Sequence, residues 1–493
     1  MITGAVFLFS TLAKDVTAFT HVTLIDGSGK PPVADQTIVV ESNKFVYVGS
    51  AANANVPTGA TIVNGKGKFV IPGLWDMHTH FDDPEMLELK PTKTEKELQL
   101  PLMIANGVTG ARDMGGDLAL MKNWHDRIQK GKLLGPRLHF VGPLVDGHKP
   151  MWPASVAVET PAEGRKAVQE LKRQGVDQIK VYSLLSREAF FAIADECKKQ
   201  NIPFSGHVPA RVTNIEAVEA GQKTLEHLLQ LDRELADPVK VAELQKSMPA
   251  GLSRAAQFKF NREVYEQAYS EERAAAFFAL MKKHGTWTTP TLNVVVRNAT
   301  FNATDPKMVA RAAYEPAYLR EWWNPEVNVH LKSAVPEIND GQMITLRIYQ
   351  RILRGMNKAG IPIMVGSDMG GNPHCFAGWG VHDEMALLVE SGMSSMDVLI
   401  AATSNPARFL GIDKSVGTVA KGKLADMVLL DSNPLEDIRN SQTIRAVVSN
   451  GKYFSRAALD ALLAKAKLDG AKRIPQKDAD DWIESSDPIR FGG

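Results

Sequence analysis

Phe69-Val70-Ile71-Pro72-Gly73-Leu74-Trp75-Asp76-Met77-His78-Thr79-His80 is the stretch on which the reading of the fold turns. It is an apolar strand run that ends in His-x-His. Side chains alternate faces along a strand, so His78 and His80 point the same way and can grip one metal ion. Imidazole nitrogen suits zinc, at about 2.0–2.1 Å. Downstream of this run, apolar strand patterns alternate with helical ones, over residues 162–174, 187–200 and 381–391 among others. That alternation argues for βα units on a parallel sheet. Eight strand runs can be counted: FVIPGLWDMH, GVTGARDM, RLHFVGPL, DQIKVY, IPFSGH, QKTLEH, TWTTPTL and IPIMVGSD. Eight is the number a closed (β/α)8 barrel requires, and several of these runs end in His, Lys or Asp. In such barrels the C-terminal strand ends form the active-site face. Two long helix-rich intervals, 228–284 and 293–359, interrupt the regular spacing on that face.

Outside this middle segment the pattern is different. Residues 17–63 and those after Gly411 show short alternating runs broken by turns, such as QTIVVE, FVYVG, DMVLLD and IRAVVSNGKYF. These predict small antiparallel strands. The expected organisation is an α/β chain: a (β/α)8 TIM barrel over residues 69–411, with one small β-sandwich built from residues 17–68 and 412–456. A C-terminal helix and tail follow over 457–493. Residues 1–16 stand apart. MITGAVFLFSTLA is apolar like the core of an export signal but lacks a preceding Lys or Arg and an A-x-A site. An altered export signal and a plain surface strand or disordered start both remain open, and so does localisation, exported or cytoplasmic.

Composition narrows the function classes. At 493 residues the chain exceeds what one hydrophobic core usually organises. With 57 Lys and Arg against 56 Asp and Glu, no global field draws nucleic acid or an anionic membrane. No run reaches the roughly 20 apolar residues of a spanning helix. The two cysteines, Cys197 and Cys375, fit no metal or disulfide pattern and read as free thiols. Binding is therefore expected to be decided by a small molecule in a local pocket; a homo-oligomer is the default assembly.

In order along the chain, IPGLWDMHTH, GHVP with His207, LEHL with His227, GSDMGGNPH with Asp368, and the long HDEMALLVESGMSSMDVLIAATSNPARFLGI and GTVAKGKLADMVLLD runs resemble the amidohydrolase superfamily. The nearest branch is the imidazolonepropionase-like and prolidase-like (Xaa-Pro dipeptidase-type) one. The resemblance implies a two-metal site in which Lys180, in Gln178-Ile179-Lys180-Val181-Tyr182, is carboxylated by carbon dioxide. On that basis His78, His80 and Asp368 hold the more buried ion, His207 and His227 the more exposed one, and the Lys180 carbamate bridges them. A lysine ammonium cannot ligate a cation, whereas a carbamate is an oxygen-donor anion able to span ions about 3.5–4 Å apart. The expected cofactors are two divalent ions, zinc first, although nitrogen and oxygen ligands also admit Mn²⁺, Co²⁺ or Fe²⁺. The expected reaction is attack of a metal-bridging hydroxide on an amide of a dipeptide or N-acyl amino acid. Asp368 then passes a proton to the leaving amine.

Two rival readings stay in view. One is a mononuclear hydrolase of a cyclic amide, urea, carbamate or ester, with Lys180 a bystander; the other is a catalytically silent scaffold of the same fold. His148 in VDGHKPMWP, and Tyr182 on the inward face with Lys180, are expected substrate contacts, though family relatives carry a glycine-rich loop around the histidine. Asp76, Arg112 and Asp113 are candidates to orient the imidazoles. The aromatic group Tyr314, Tyr318, Trp322 and Trp323 would either roof the pocket or fill the core of its own insertion.

Overall fold

The computed structural model describes residues 16–475; the N-terminal apolar segment and the end of the tail, on which the sequence also raised expectations, lie outside them. Strands from residues 16–72 and 427–455 meet in one eight-stranded sheet. Its order is Lys452–Ser455, Ile444–Ser449, Met427–Leu430, Phe69–Pro72, Val16–Leu24, Val33–Glu41 and Lys44–Ser50, with Thr61–Asn64 added on Val16–Leu24. Alternating apolar residues from both ends, including Phe19, Ile38, Phe45, Met427 and Val448, bury one shared core. Phe45 N–H donates to the Lys423 carbonyl and Gly422 N–H to that of Phe45, tying Lys44–Ser50 to the loop before Met427–Leu430.

One sequence expectation is corrected here. The run from Phe69 to His78 is two strands, not one: Phe69–Pro72 pairs antiparallel with Met427–Leu430, and Leu74–Thr79 pairs parallel with Val108–Asp113. Gly73 separates them. A Cβ there would stand 2.1 Å from the Thr109 hydroxyl, so only glycine lets the chain cross between sheets at this point. Apolarity alone cannot reveal such a switch, because both halves are buried.

The middle segment is a mixed α/β unit of parallel strands wrapped by helices. One three-stranded sheet joins Leu74–Thr79, Val108–Asp113 and Arg137–Phe140. A second runs Val156–Val158, Val145–Gly147, Ile179–Val181, Phe204–Gly206, Thr224–Glu226 and Trp287–Thr289. Among the described residues every strand pairing in both is parallel. The IPIMVGSD run forms bridges rather than a regular strand. Met364 N–H donates to Thr288 on one side, and Met77 N–H donates to Val365 on the other. It therefore touches the last strand of one sheet and the first of the other.

The helices follow their local chemistry. Pro161–Gln174 opens on a Thr160–Glu163 capping box with proline in its first turn, and closes on Gly175 at φ 82°. The two long intervals are helical as expected, supplying Arg254–Ala268, Leu292–Thr300 and Pro336–Ala359 among others. Among the described residues no helix is long and apolar enough to cross a membrane. Cys197 and Cys375 are buried free thiols.

Candidate active site

The strand ends carry their polar residues to one place. His78, fully buried, and His80 leave the same face of Leu74–Thr79. Asp368 Oδ1 lies 3.5 Å from His78 Nε2 and 3.3 Å from His80 Nε2. One donor atom from each of these three side chains fits within 4.8 Å of the others, a spacing that can hold a cation. Lys180, buried in Ile179–Val181, brings Nζ to 3.4 Å from His78 Nε2. The His227 ring centroid stands 4.6 Å from that of His78 and 4.8 Å from that of His207. All six residues expected as ligands are therefore gathered in one cluster.

Their outer contacts test whether the cluster fits a metal. His78 Nδ1 sits 2.8 Å from Glu226, His80 Nδ1 3.2 Å from the Gly115 carbonyl, His207 Nδ1 2.8 Å from Ser183, and His227 Nδ1 2.6 Å from Thr291. Each imidazole thus engages the protein through Nδ1; His78 and His80 turn Nε2 to Asp368, whereas His227 has Nδ1 itself 3.7 Å from Asp368 Oδ2. Ligating histidines are oriented in this way. The donor set fits.

Electrostatics agrees with that fit. Burial pulls the Lys180 ammonium down to about 8, with Glu226 and Asp368 opposing; a neutral amine, the form that reacts with carbon dioxide, is thereby brought within reach. Burial alone would raise the Asp368 carboxyl, yet the imidazoles of His78, His227 and His80 hold it below the ordinary carboxylate range. Asp368 is an anion at neutral pH. Its Oδ2 accepts a 3.0 Å hydrogen bond from Asn372. Asp368, His227 and Thr291 all adopt left-handed backbone, at φ 53°, 63° and 49°. Non-glycine residues hold that conformation only where surroundings over-determine it, and here it aims three side chains at the centre.

A cavity of about 330 Å³ opens over the cluster, lined by His80, His207, His227 and Asp368 on its floor. Tyr182 lines it too, its ring stacked 4.1 Å from that of His207 and its hydroxyl accepting from Trp152. The structure does not bring His148 to this cavity. His148 is about half exposed, with Nδ1 2.9 Å from Glu159, because its loop turns outward after Val145–Gly147. Tyr318, Trp322 and Trp323 are also elsewhere: they pack with Met308 of their own insertion and with Met86 and Phe376 outside it. Walls come instead from Phe258 and Arg262, Val294 and Val295, and Thr345 and Tyr349. Helical periodicity could not tell which of these insertion faces would turn inward.

Of the orienting candidates, Asp76 accepts from the backbone of His78 and Ser367, tying the first strand to the Asp368 turn. Asp113 accepts from Phe81 N–H. Arg112 donates to the Met77 carbonyl and, at 2.8 Å, to Glu226. Glu226 itself was missed by sequence reasoning. A carboxylate beside His227 at the end of a strand run, facing the same way as Thr224, was the available signal.

With this geometry in place, residues 69–453 match the model of the Amidohydrolase family. The chain belongs to the amidohydrolase family. It is accordingly a hydrolase acting on amide bonds, and the family acts on small-molecule substrates. This amidohydrolase is 24% identical to an ochratoxinase of Aspergillus niger, over 87% of this chain and 85% of that protein. Its fold is shared with a Xaa-Pro dipeptidase solved with methionine bound in the active site (TM-score 0.63, 20% identity, 90% of this chain and all of that one, 100%). It is likewise shared with a bottromycin amidohydrolase (TM-score 0.66, 23% identity, 92% and 90% of the two chains).

Replacing Glu226 with Gln keeps the shape beside His78 but removes the charge that pairs with Arg112. The expected result is an about 10- to 100-fold loss of affinity for added divalent metal, read by competition with a chelator. Unchanged affinity would show that Glu226 serves only the fold.

Proposed function

We propose that this amidohydrolase is a two-metal enzyme that cleaves the amide of a dipeptide or N-acyl amino acid, with Lys180 carboxylated and bridging. The observation that carries this reading is the set of four imidazoles each anchored through Nδ1, with Nε2 of His78 and His80 turned to Asp368, around a buried lysine of lowered pKa and an ionised Asp368. His78, His80 and Asp368 would hold one ion, His207 and His227 the other, and zinc suits these donors. When bound, the ions lower the pKa of water and polarise a carbonyl.

The protein's own groups do the rest. Asp368 faces both His78 and His80 with Oδ1, and Asn372 fixes Oδ2, the oxygen that takes the proton of water and passes it to the leaving nitrogen. Tyr182 and the apolar walls exclude bulk solvent. On the same reading the central strands close as a (β/α)8 barrel, with residues 363–368 as the eighth position, and the terminal sheet folds over as a sandwich. Domain limits at 17–68, 69–411 and 412–456 follow, adjusted by the Phe69–Pro72 strand.

The three-donor group of His78, His80 and Asp368 can also serve one ion alone, which favours the mononuclear alternative. Counting metal on protein prepared with zinc and bicarbonate separates the two. Two equivalents are expected, falling to one or fewer in Lys180→Ala together with activity. One equivalent in the parent, with activity intact in Lys180→Ala, would exclude the two-metal reading.

A further inference from the structure

We propose that Arg262 receives a carboxylate of the substrate, so that the amide cleaved is that of a molecule with a free carboxyl on its leaving-group side. The inference rests on the amide-hydrolase reading of the same cavity. Arg262 lies in the Arg254–Ala268 helix of the first long insertion and lines the cavity whose floor includes His80 and Asp368. Among the described residues that line it, Arg262 is the one arginine or lysine. The other charged lining groups, Asp83, Glu85 and Asp368, repel an anion.

The side chain is held rather than waving. Its guanidinium carbon lies 4.7 Å over the Phe258 ring and 5.9 Å from that of Tyr265, and Nη1 forms an ion pair with the buried Asp232. Nε is buried with no hydrogen-bond partner. The described residues offer no acceptor to Nη2 either. A guanidinium has five donors in a planar fork that matches a carboxylate at two points, and Asp232 engages one edge only. A substrate carboxylate arriving through the cavity accepts from Nη2, on the side that Asp232 leaves unengaged, and lays the amide across the floor.

The test is calorimetric binding of N-acetyl-glycine, -leucine, -phenylalanine and -proline, each as acid and as primary amide, with hydrolysis of the same compounds measured alongside. The zinc-loaded parent should prefer the acids. In Arg262→Met, acid binding should weaken about 10- to 100-fold while amide binding changes less than twofold, and Arg262→Lys should recover part of the loss. Because Arg262→Met leaves Asp232 buried and unpaired, the double variant Asp232→Asn/Arg262→Met keeps the experiment open if the single variant does not fold. Equal binding of acid and amide by the parent, or of acid by parent and variants, overturns the proposal. Arg262-dependent binding without hydrolysis of any amide would uphold the carboxylate site and refute the dipeptide or N-acyl amino acid reading instead.

Discussion

Asp368→Asn should lower kcat on any amide the parent hydrolyses by at least about 10³-fold, with little change in fold. General acid and base transfer contributes about 10²–10⁴ by itself, and this carboxylate is also placed to bind the more buried ion. The substitution is close to isosteric. Asparagine can still accept the hydrogen bond from Asn372, and the left-handed backbone at φ 53° is one that asparagine tolerates well. What disappears is the negative charge set among His78, His80 and His227. Steady-state rates together with metal content decide the outcome. A variant retaining a tenth of parental kcat would remove Asp368 from proton transfer.

The largest structural effect is expected at Gly206, beside the lysine. This residue pairs with Val181 across the strand that carries Lys180 and adopts φ 130°. An added Cβ would lie 2.2 Å from the Val181 carbonyl oxygen and 2.9 Å from Lys180 Cδ. The first contact is with backbone, which cannot swing aside, and the φ is one that side chains avoid. Gly206→Ala should therefore cost about 4 kcal/mol or more, lowering the melting temperature by roughly 10 °C. Gly221→Ala is the control. It has φ 92° but nothing within 4 Å, so it carries the conformational cost alone, about 1 kcal/mol. Equal melting temperatures for the two variants would mean that the strand pair yields, and that Lys180 is less firmly seated than its burial implies.

The sequence by itself determined the parts that depend on period and residue type. A two-residue repeat put His78 and His80 on one side, apolar runs separated by helical patterns demanded a parallel sheet, and alternating flanks required a second sheet. His207, His227 and Asp368 were legible because each closes a strand run, and strand ends of one polarity converge whatever the loops do, whereas Lys180, inside DQIKVY, was legible only through the family resemblance. Tertiary structure decided everything that depends on which buried surface faces which. Phe69–Pro72 and Leu74–Thr79 are both apolar, so only pairing partners assign them to different sheets. His148 followed a strand like the other histidines, but its loop turned outward to Glu159. The insertion tryptophans packed against Met86 and Phe376 from outside the insertion, while Phe258 and Arg262, unremarked in the sequence, turned toward the cavity. Glu226 was legible only as a carboxylate beside His227; its meaning came from His78 and Arg112, which lie 148 and 114 residues away along the chain. Local patterns fix the direction in which a side chain points along its own element, and contacts across such distances in sequence fix what it meets.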